Sequence, residues 1–591
     1  LECAFWFPVF LFQKGVFTTT LIDRATPAPY HQNVHPVISA EQMREIDRLT
    51  VENSETSSFQ LMQAAADACF AAIDSHFAGA LAGKTTQILC GPGNNGGDGA
   101  ALAQKLAGAG AKVDVVLFAT LDDTRGDAHE NFKLVRQLAQ SEAGLNRLSL
   151  VECENPEAWQ EMTRTEGSYD IIVDALFGTG LSRPLTGIFA EVVNHLALIR
   201  KTREASGTTS PFIVSIDIPS GLDSDSSKPI GPAVHADLTV TFTAPKAANV
   251  LPPASHLNGK IVVSDIGSPA ELVSAVGSNL FVTEADEARR WLRATRYTPE
   301  TYKNSHGHAL VIAGSRGYTG AAVLCGNAAM RSGAGLVTIA TPVSAQTAVA
   351  ASVMPEVMTI ALAETDRGAV SDEAIEHAKQ LAGKANVIAI GPGLLSEDER
   401  TRRFVHDVVK QRKTPIVIDA DGLNCLAPWP ADLQGSDQSP LILTPHPGEM
   451  LRLLGATDKT ALDDRVAVAR DFAARQKVIL VLKGSRSLIA APDGRVFINP
   501  TGNAGLGTAG AGDTLTGIIA GFIAQSAAGD LSNSLSVDTD ALAAVIAALY
   551  LGGLAGDFAA RDLGMRSMVA SDIREHLSEA IRSLDQESET P

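Results

Sequence analysis

Short runs of Ile, Val and Leu alternate with longer helical stretches along this chain, and the alternation occurs twice. Near-continuous apolar strands separated by helices fold as a parallel sheet buried on both faces. In the first series the pattern predicts strands at 87–90, 113–118, 170–176, 212–218 and 238–242. Helices are expected at 59–77, 100–106, 128–139 and 189–198, after a first helix opened by Ser39 and Gln42 at capping-box spacing. In the second series, strands are expected at 309–313, 336–340, 387–390, 416–418, 441–443 and 478–482. Helices should cover 321–331, 399–410, 462–475, 514–524 and 541–551. The fold class is therefore α/β throughout, with a doubly wound first domain. A Gly/Ser/Ala-tinged stretch at 267–279 reads as the linker. The boundaries are a tail at 1–36, a first domain at 37–270 and a second at 276–591.

Composition narrows what such domains can bind. Of 591 residues, 45% are hydrophobic and 19% charged, which supplies two large cores and argues against disorder. The formal net charge of −19 argues against nucleic acid as a partner, because polyanion binding needs clustered Lys and Arg. It does not exclude one phosphorylated small molecule, which backbone N–H groups can hold. Six scattered cysteines without a CxxC pair fit reduced thiols in a cytoplasmic compartment rather than zinc or a disulfide framework. The apolar run Ala4–Phe12 is too short to cross a bilayer and lacks the basic flank of a signal peptide, so it reads as part of a tail. No other run is long and uninterrupted enough to suggest a membrane span.

The motifs fall at strand ends. The first strand runs into Gly91-Pro92-Gly93-Asn94-Asn95-Gly96-Gly97-Asp98-Gly99 and then a helix. Such glycines permit positive φ and close backbone approach, and free N–H groups at a helix start attract an anion. Asp174 and Asp217 each end an apolar strand, and Ser220 follows the second. Converging on one rim, Asn95, Asp174 and Ser220 offer oxygen ligands to a hard cation, while Asp98 and Asp217 are candidate acid/base groups. A capping role accounts for any one of these acids; three polar strand ends together favour a site.

GPGNNGGDG, VDALFGTGL, DIPSGL and Thr243-Ala244-Pro245-Lys246 together resemble the NAD(P)H-hydrate epimerase domain of the YjeF N-terminal type, over about 37–266. The resemblance implies a Rossmann-like fold. It implies that Asn94, Asn95, Gly96, Gly97 and Asp98 hold the hydrated dinucleotide. Gly178, Thr179, Gly180, Leu181, Ser182, Arg183, Pro184 and Asp217 would join them. It further implies K+ at Asn95, Asp174 and Ser220, with Asp217 as general acid/base and Lys246 as its partner.

In the second half, strand 309–313 leads into Gly314-Ser315 and a helix with Ala321 in its first turns. Thr444-Pro445-His446-Pro447-Gly448-Glu449 and Lys483-Gly484-Ser485-Arg486-Ser487 follow later strands. The Gly-rich run 502–514 includes Asp513 and ends where an amphipathic helix begins, and an anion hole is expected there. These features resemble the ribokinase-like superfamily, specifically the ADP/ATP-dependent NAD(P)H-hydrate dehydratases, over about 281–577. The resemblance implies that Ala321, Gly393, His446 and Asp513 contact the hydrated dinucleotide. Lys483, Gly484, Ser485, Arg486, Ser487 and Gly512 would contact ADP or ATP. Ser487 stands where the family has Thr, and Ala509 and Ala511 replace a usual Gly and Ser/Thr.

The implied enzyme is a bifunctional repair protein. One half interconverts R and S epimers of NADHX or NADPHX. The other dehydrates the S epimer with an adenine nucleotide and Mg2+, with Asp513 as the base. No nucleic acid and no membrane are expected as partners, and a homo-oligomer is expected. The alternative is a small-molecule kinase fused to a non-catalytic binding or RNA scaffold.

Overall fold

The computed structural model describes residues 35–585 except 142–143, 145–146, 166–168 and 529–539. The apolar run 4–12 lies outside the described residues. The chain divides into two compact units, with the boundary between Ser278 and Asn279.

Among the described residues the first unit carries a 7-stranded parallel sheet. Edge to edge, its strands are Leu148–Glu152, Lys112–Leu117, Thr85–Cys90, Ile171–Ala175, Phe212–Ile216, Leu238–Phe242 and Lys260–Ser264. Chain order runs outward from Thr85–Cys90, then jumps to Ile171–Ala175 and runs outward the other way. That reversal opens a crevice at the carboxyl ends of these two strands. Cys90 pairs with Ala175, so the loops that follow face each other across it. One face of the sheet is covered by helices that include Ala40–Asn53, Ser58–His76, Asn94–Gly108 and Gly126–Gln140. Trp159, Val192, Val193 and Leu196 help to cover the other.

The helix after the first strand begins at Asn94, so Asn94–Asp98 are its first turn rather than a loop before it. None of Gly91, Gly93, Gly96, Gly97 and Gly99 has positive φ. The need is for space. A Cβ on Gly96 would lie 1.8 Å from the Gly91 carbonyl oxygen, and one on Gly99 would lie 2.7 Å from the Ala175 Cβ. Gly96→Ala is therefore expected to destabilise the first unit by more than about 3 kcal/mol, since backbone must move to admit the methyl. Denaturant unfolding checks this; a loss below about 1 kcal/mol would contradict it.

Among the described residues the second unit is built on an 11-stranded sheet. Its parallel part is Met358–Leu362, Leu336–Pro342, His308–Ile312, Val387–Ile390, Ile416–Ile418, Leu441–Leu443 and Ile479–Leu482. The strand order repeats that of the first unit, with the reversal between His308–Ile312 and Val387–Ile390. Antiparallel Leu488–Ala490 and Val496–Ile498 extend it. Gly91-Pro92-Gly93 follows the first strand of its sheet but Gly391-Pro392-Gly393 follows the fourth strand of the parallel series that begins at His308, so the shared triplet marks no internal repeat.

Helix Ala541–Leu563 is twice the expected length, and by length and composition it could cross a membrane. This corrects the expectation that no such run exists beyond the tail. Of its most apolar window, 72% is buried inside the protein, where Val545, Ile546, Leu549 and Leu551 join the core. A helix apolar all round is buried on all sides.

Candidate functional site

In the first unit the site grows from the ends of the central strands. Asp217 follows strand Phe212–Ile216 with φ 64, a left-handed conformation that costs a side-chain-bearing residue energy. Its N–H donates to Val240 O at 2.7 Å. Its Oδ1 accepts from Lys246 Nζ at 2.7 Å and Thr241 Oγ1 at 2.9 Å. Lys246 is 0% exposed, and it also donates to Thr241 Oγ1 and Phe242 O. With its three donors satisfied inside the protein, Lys246 acts by fixing the Asp217 carboxylate. The other oxygen remains available. A Cβ on Gly178 would lie 3.5 Å from Asp217 Oδ2 and 3.1 Å from Asn95 Oδ1, so these residues border one point of the crevice. The buried Asn95 Nδ2 has no hydrogen-bond partner. From Gly180 to Pro184 the facing loop is largely exposed, with Leu181 half-buried.

Asp174 is fully buried. Its Oδ1 accepts from Ser220 Oγ at 2.6 Å, and its Oδ2 from Ser220 N and Ser215 Oγ, both at 2.8 Å. Ser220 Oγ also lies 3.2 Å from Phe177 O. Burial pushes the Asp174 carboxyl up, against the lowering pull of Ser220 and Ser215. Asp174 and Ser220 offer hard oxygens of the kind a K+ ion takes; from Asn95 the ligand would be the amide oxygen Oδ1 and not the orphaned Nδ2.

Two further carboxyls enclose the pocket. Burial pushes Asp98 well above the usual carboxylate range, and Asp217 and Asp47 add to the effect. Asp47, on helix Ala40–Asn53, is a residue that sequence reasoning missed. Its Oδ1 is buried without a partner. Burial pushes it up to about 6; Lys246 opposes and Asp217 reinforces the shift. The folded value lies above the ordinary 3.8, so this group's favourable contribution is complete below about pH 4 and lost as pH rises through about 6. Asp47→Asn is therefore expected to stabilise the first unit by about 3 kcal/mol near pH 8 and little near pH 4. Thermal denaturation at both pH values reads this, and equal shifts at the two would contradict it.

In the second unit, Gly393 and Ala321 border the reversal point, since a Cβ on Gly393 would lie 3.1 Å from the Ala321 Cβ. His446 caps helix Pro447–Leu454: its Nδ1 accepts from Gly448 N at 3.0 Å, and Glu449 Oε2 accepts from His446 N at 2.8 Å. The half-exposed ring turns its Nε2 toward Glu449 Oε1, 3.5 Å away. Lys483 N donates to Pro445 O at 2.9 Å, which sets the lysine loop beside the His446 turn. Asp513 lies in the first turn of helix Ala511–Ala528. Burial pushes its carboxyl up to about 6, reinforced by Asp419 and opposed by Lys483.

The loop 483–487 is less uniform than expected. Arg486, at φ 55, turns its guanidinium onto Pro500 O, and burial pulls it down to about 10. Beneath the loop lies Arg465, also missed in the sequence, whose Nη1 donates to Ser485 O at 3.1 Å. Asp419 is the second missed acid: it is 1% exposed and pairs with Lys483 Nζ at 2.6 Å. It ends an apolar strand, the same signal that marked Asp174 and Asp217.

Residues 58–248 match the family described as YjeF-related protein N-terminus, and residues 309–579 match NAD(P)H-hydrate dehydratase. The chain is 39% identical over 554 residues to the bifunctional NAD(P)H-hydrate repair enzyme Nnr of Moorella thermoacetica, covering 94% of this chain and 98% of that one. It is 31% identical to the protein of the same description from Escherichia coli, covering 91% and 92%. An ADP/ATP-dependent NAD(P)H-hydrate dehydratase from Bacillus subtilis, co-crystallised with ATP/Mg2+, is 30% identical with a TM-score of 0.42, covering 51% of this chain and 98% of that one. Both halves and nearly the full length of such relatives are present: the chain belongs to the family of bifunctional NAD(P)H-hydrate repair enzymes.

Proposed function

We propose that each unit performs its half of the repair at its own reversal point, with a lysine–aspartate pair as the fixed centre of each. The observation that carries this reading is the recurrence of that pair: Lys246–Asp217 at 2.7 Å and Lys483–Asp419 at 2.6 Å, each beside a carboxyl raised by burial. In the first unit Asp217, held by Lys246 and Thr241, would take the proton from the hydroxyl on the hydrated ring carbon and pass it to the ring nitrogen as the carbon–nitrogen bond opens to an aldehyde, and reverse this as the ring closes on the other face. The crevice bounded by Asn94–Asp98, Gly178–Pro184 and Asp217 would hold NADHX or NADPHX. Asn95, Asp174 and Ser220 would hold K+, which supplies positive charge near the dinucleotide's phosphates.

In the second unit the substrate's hydroxyl is a poor leaving group. Transfer of the terminal phosphoryl of ADP or ATP to that oxygen, with its proton going to Asp513, makes a good one. Elimination of phosphate then restores the dihydropyridine. Lys483 and the N–H groups at the start of helix Ala511–Ala528 stabilise charge on the transferring phosphoryl. Ala321, Gly393 and His446 would orient the dinucleotide, and the loop 483–487 with Gly512 would hold the nucleotide. Mg2+ would neutralise phosphate charge when bound; Asp419 is engaged by Lys483 and Thr516, and Glu449, whose Oε2 accepts from His446 N, would offer it Oε1. Free, buried Cys69, Cys90, Cys325 and Cys425 suit a reducing, cytoplasmic setting. Incubation of S-NADHX with ADP, and separately with ATP, tests the reading: reduced-nicotinamide absorbance should rise with at least one. A phosphorylated product with no such rise would favour the small-molecule kinase.

A further inference from the structure

Asp419 joins three elements of the second unit. Its carbonyl and N–H lie at the end of strand Ile416–Ile418, with N–H donating to Ile390 O at 3.1 Å. Its Oδ1 accepts from Lys483 Nζ at 2.6 Å, and its Oδ2 accepts from Thr516 Oγ1 at 2.7 Å, one turn beyond Asp513 on helix Ala511–Ala528. Thr516 is 0% exposed. A Cβ on Gly512 would lie 3.3 Å from Lys483 Nζ and 3.5 Å from Asp419 Oδ2, so the start of the helix abuts this pair. A lysine has a flexible stem and a compact charge, so its position is set by what it is tied to. Here it is tied to a carboxylate that is itself tied to the helix whose N-terminus forms the anion hole.

We propose that Asp419 is a positioning residue of the dehydratase reaction, acting through Lys483. Bridged to Thr516, it holds the ammonium at a fixed place against the first turn of helix Ala511–Ala528, where the transferring phosphoryl group develops charge. Without the bridge the ammonium relaxes toward solvent or toward Glu449, and the hole loses its cation. The inference rests on the dehydratase reading given above.

A double-mutant cycle tests it, with S-NADHX and saturating ADP and with the full-length chain. Asp419→Asn and Lys483→Met should each lower kcat by about 10²-fold or more, and the double variant should be no worse than Lys483→Met by more than about threefold. Losses that multiply would overturn the proposal. Thr516→Val keeps both charges and nearly the same volume, which guards against a variant that fails to fold. It should lower kcat about tenfold while the KM for ADP changes less than about threefold. An unchanged kcat in Thr516→Val would also overturn it. A wild-type chain that does not dehydrate S-NADHX defeats the underlying reading; an active wild type with multiplicative losses defeats this inference alone.

Discussion

Asp217→Asn is expected to lower R-to-S conversion by roughly 10²–10⁴-fold while leaving ADP-dependent dehydration of the S epimer intact. The substitution keeps the shape of the side chain and removes its capacity to accept a proton. It also strips the counter-charge from Lys246, which is 0% exposed. Breaking a buried pair by removing one partner costs roughly 3–5 kcal/mol, so the first unit should melt earlier as well. The two effects separate in Asp217→Asn/Lys246→Met. That double variant removes both charges and is expected to regain much of the stability, yet none of the activity. Recovery of epimerisation with stability would mean that Asp217 serves the fold and not the reaction.

The second large effect belongs to Asp513→Asn. Dehydration should fall by roughly 10²–10⁴-fold, and epimerisation should not change. The pH profile gives a sharper reading than the rate. Asp513 is raised to about 6, and a base works only when ionised, so the wild-type dehydration rate should climb as pH rises through about 6. The residual activity of the variant should lack that limb. A limb that survives in Asp513→Asn would assign it to another group, of which Glu449, also raised by burial, is the nearest in chemistry.

The sheets were legible from the sequence because their central strands are apolar on both faces. Strands 387–390, 416–418, 441–443 and 238–242 were expected as they stand in the structure. Leu148–Glu152 and Lys260–Ser264 were missed: both are edge strands with a single buried residue each, Leu148 and Ile261, and so they lack the fully buried pattern of the central strands. Leu488–Ala490 and Val496–Ile498 follow Ile479–Leu482 as antiparallel strands with no helix between them, so the alternation of strand and helix does not mark them. The site divides the same way. Asp174 and Asp217 stood out as acids closing apolar strands. Asp419 had the same signature after Ile416–Ile418 and could have been found by it. Asp47 had no such mark: it sits on an early helix between Ile46 and Thr50, and only the packing of that helix brings it to Asp98 and Asp217. Of the two needs read into the glycines after the first strand, positive φ is not used and close approach is: Gly96 lies against Gly91 O and Gly99 against Ala175.

One measurement bears most directly on the claim that two coupled centres in one chain repair hydrated dinucleotide. An equilibrated mixture of R- and S-NADHX is given to the full-length protein with ADP, and reduced-nicotinamide absorbance is followed to its plateau. The wild type should restore all of the NADH. Asp217→Asn should restore only the S fraction rapidly and the remainder at the spontaneous epimerisation rate, and Asp513→Asn should leave the absorbance nearly flat. No recovery by the wild type with either ADP or ATP would contradict the account.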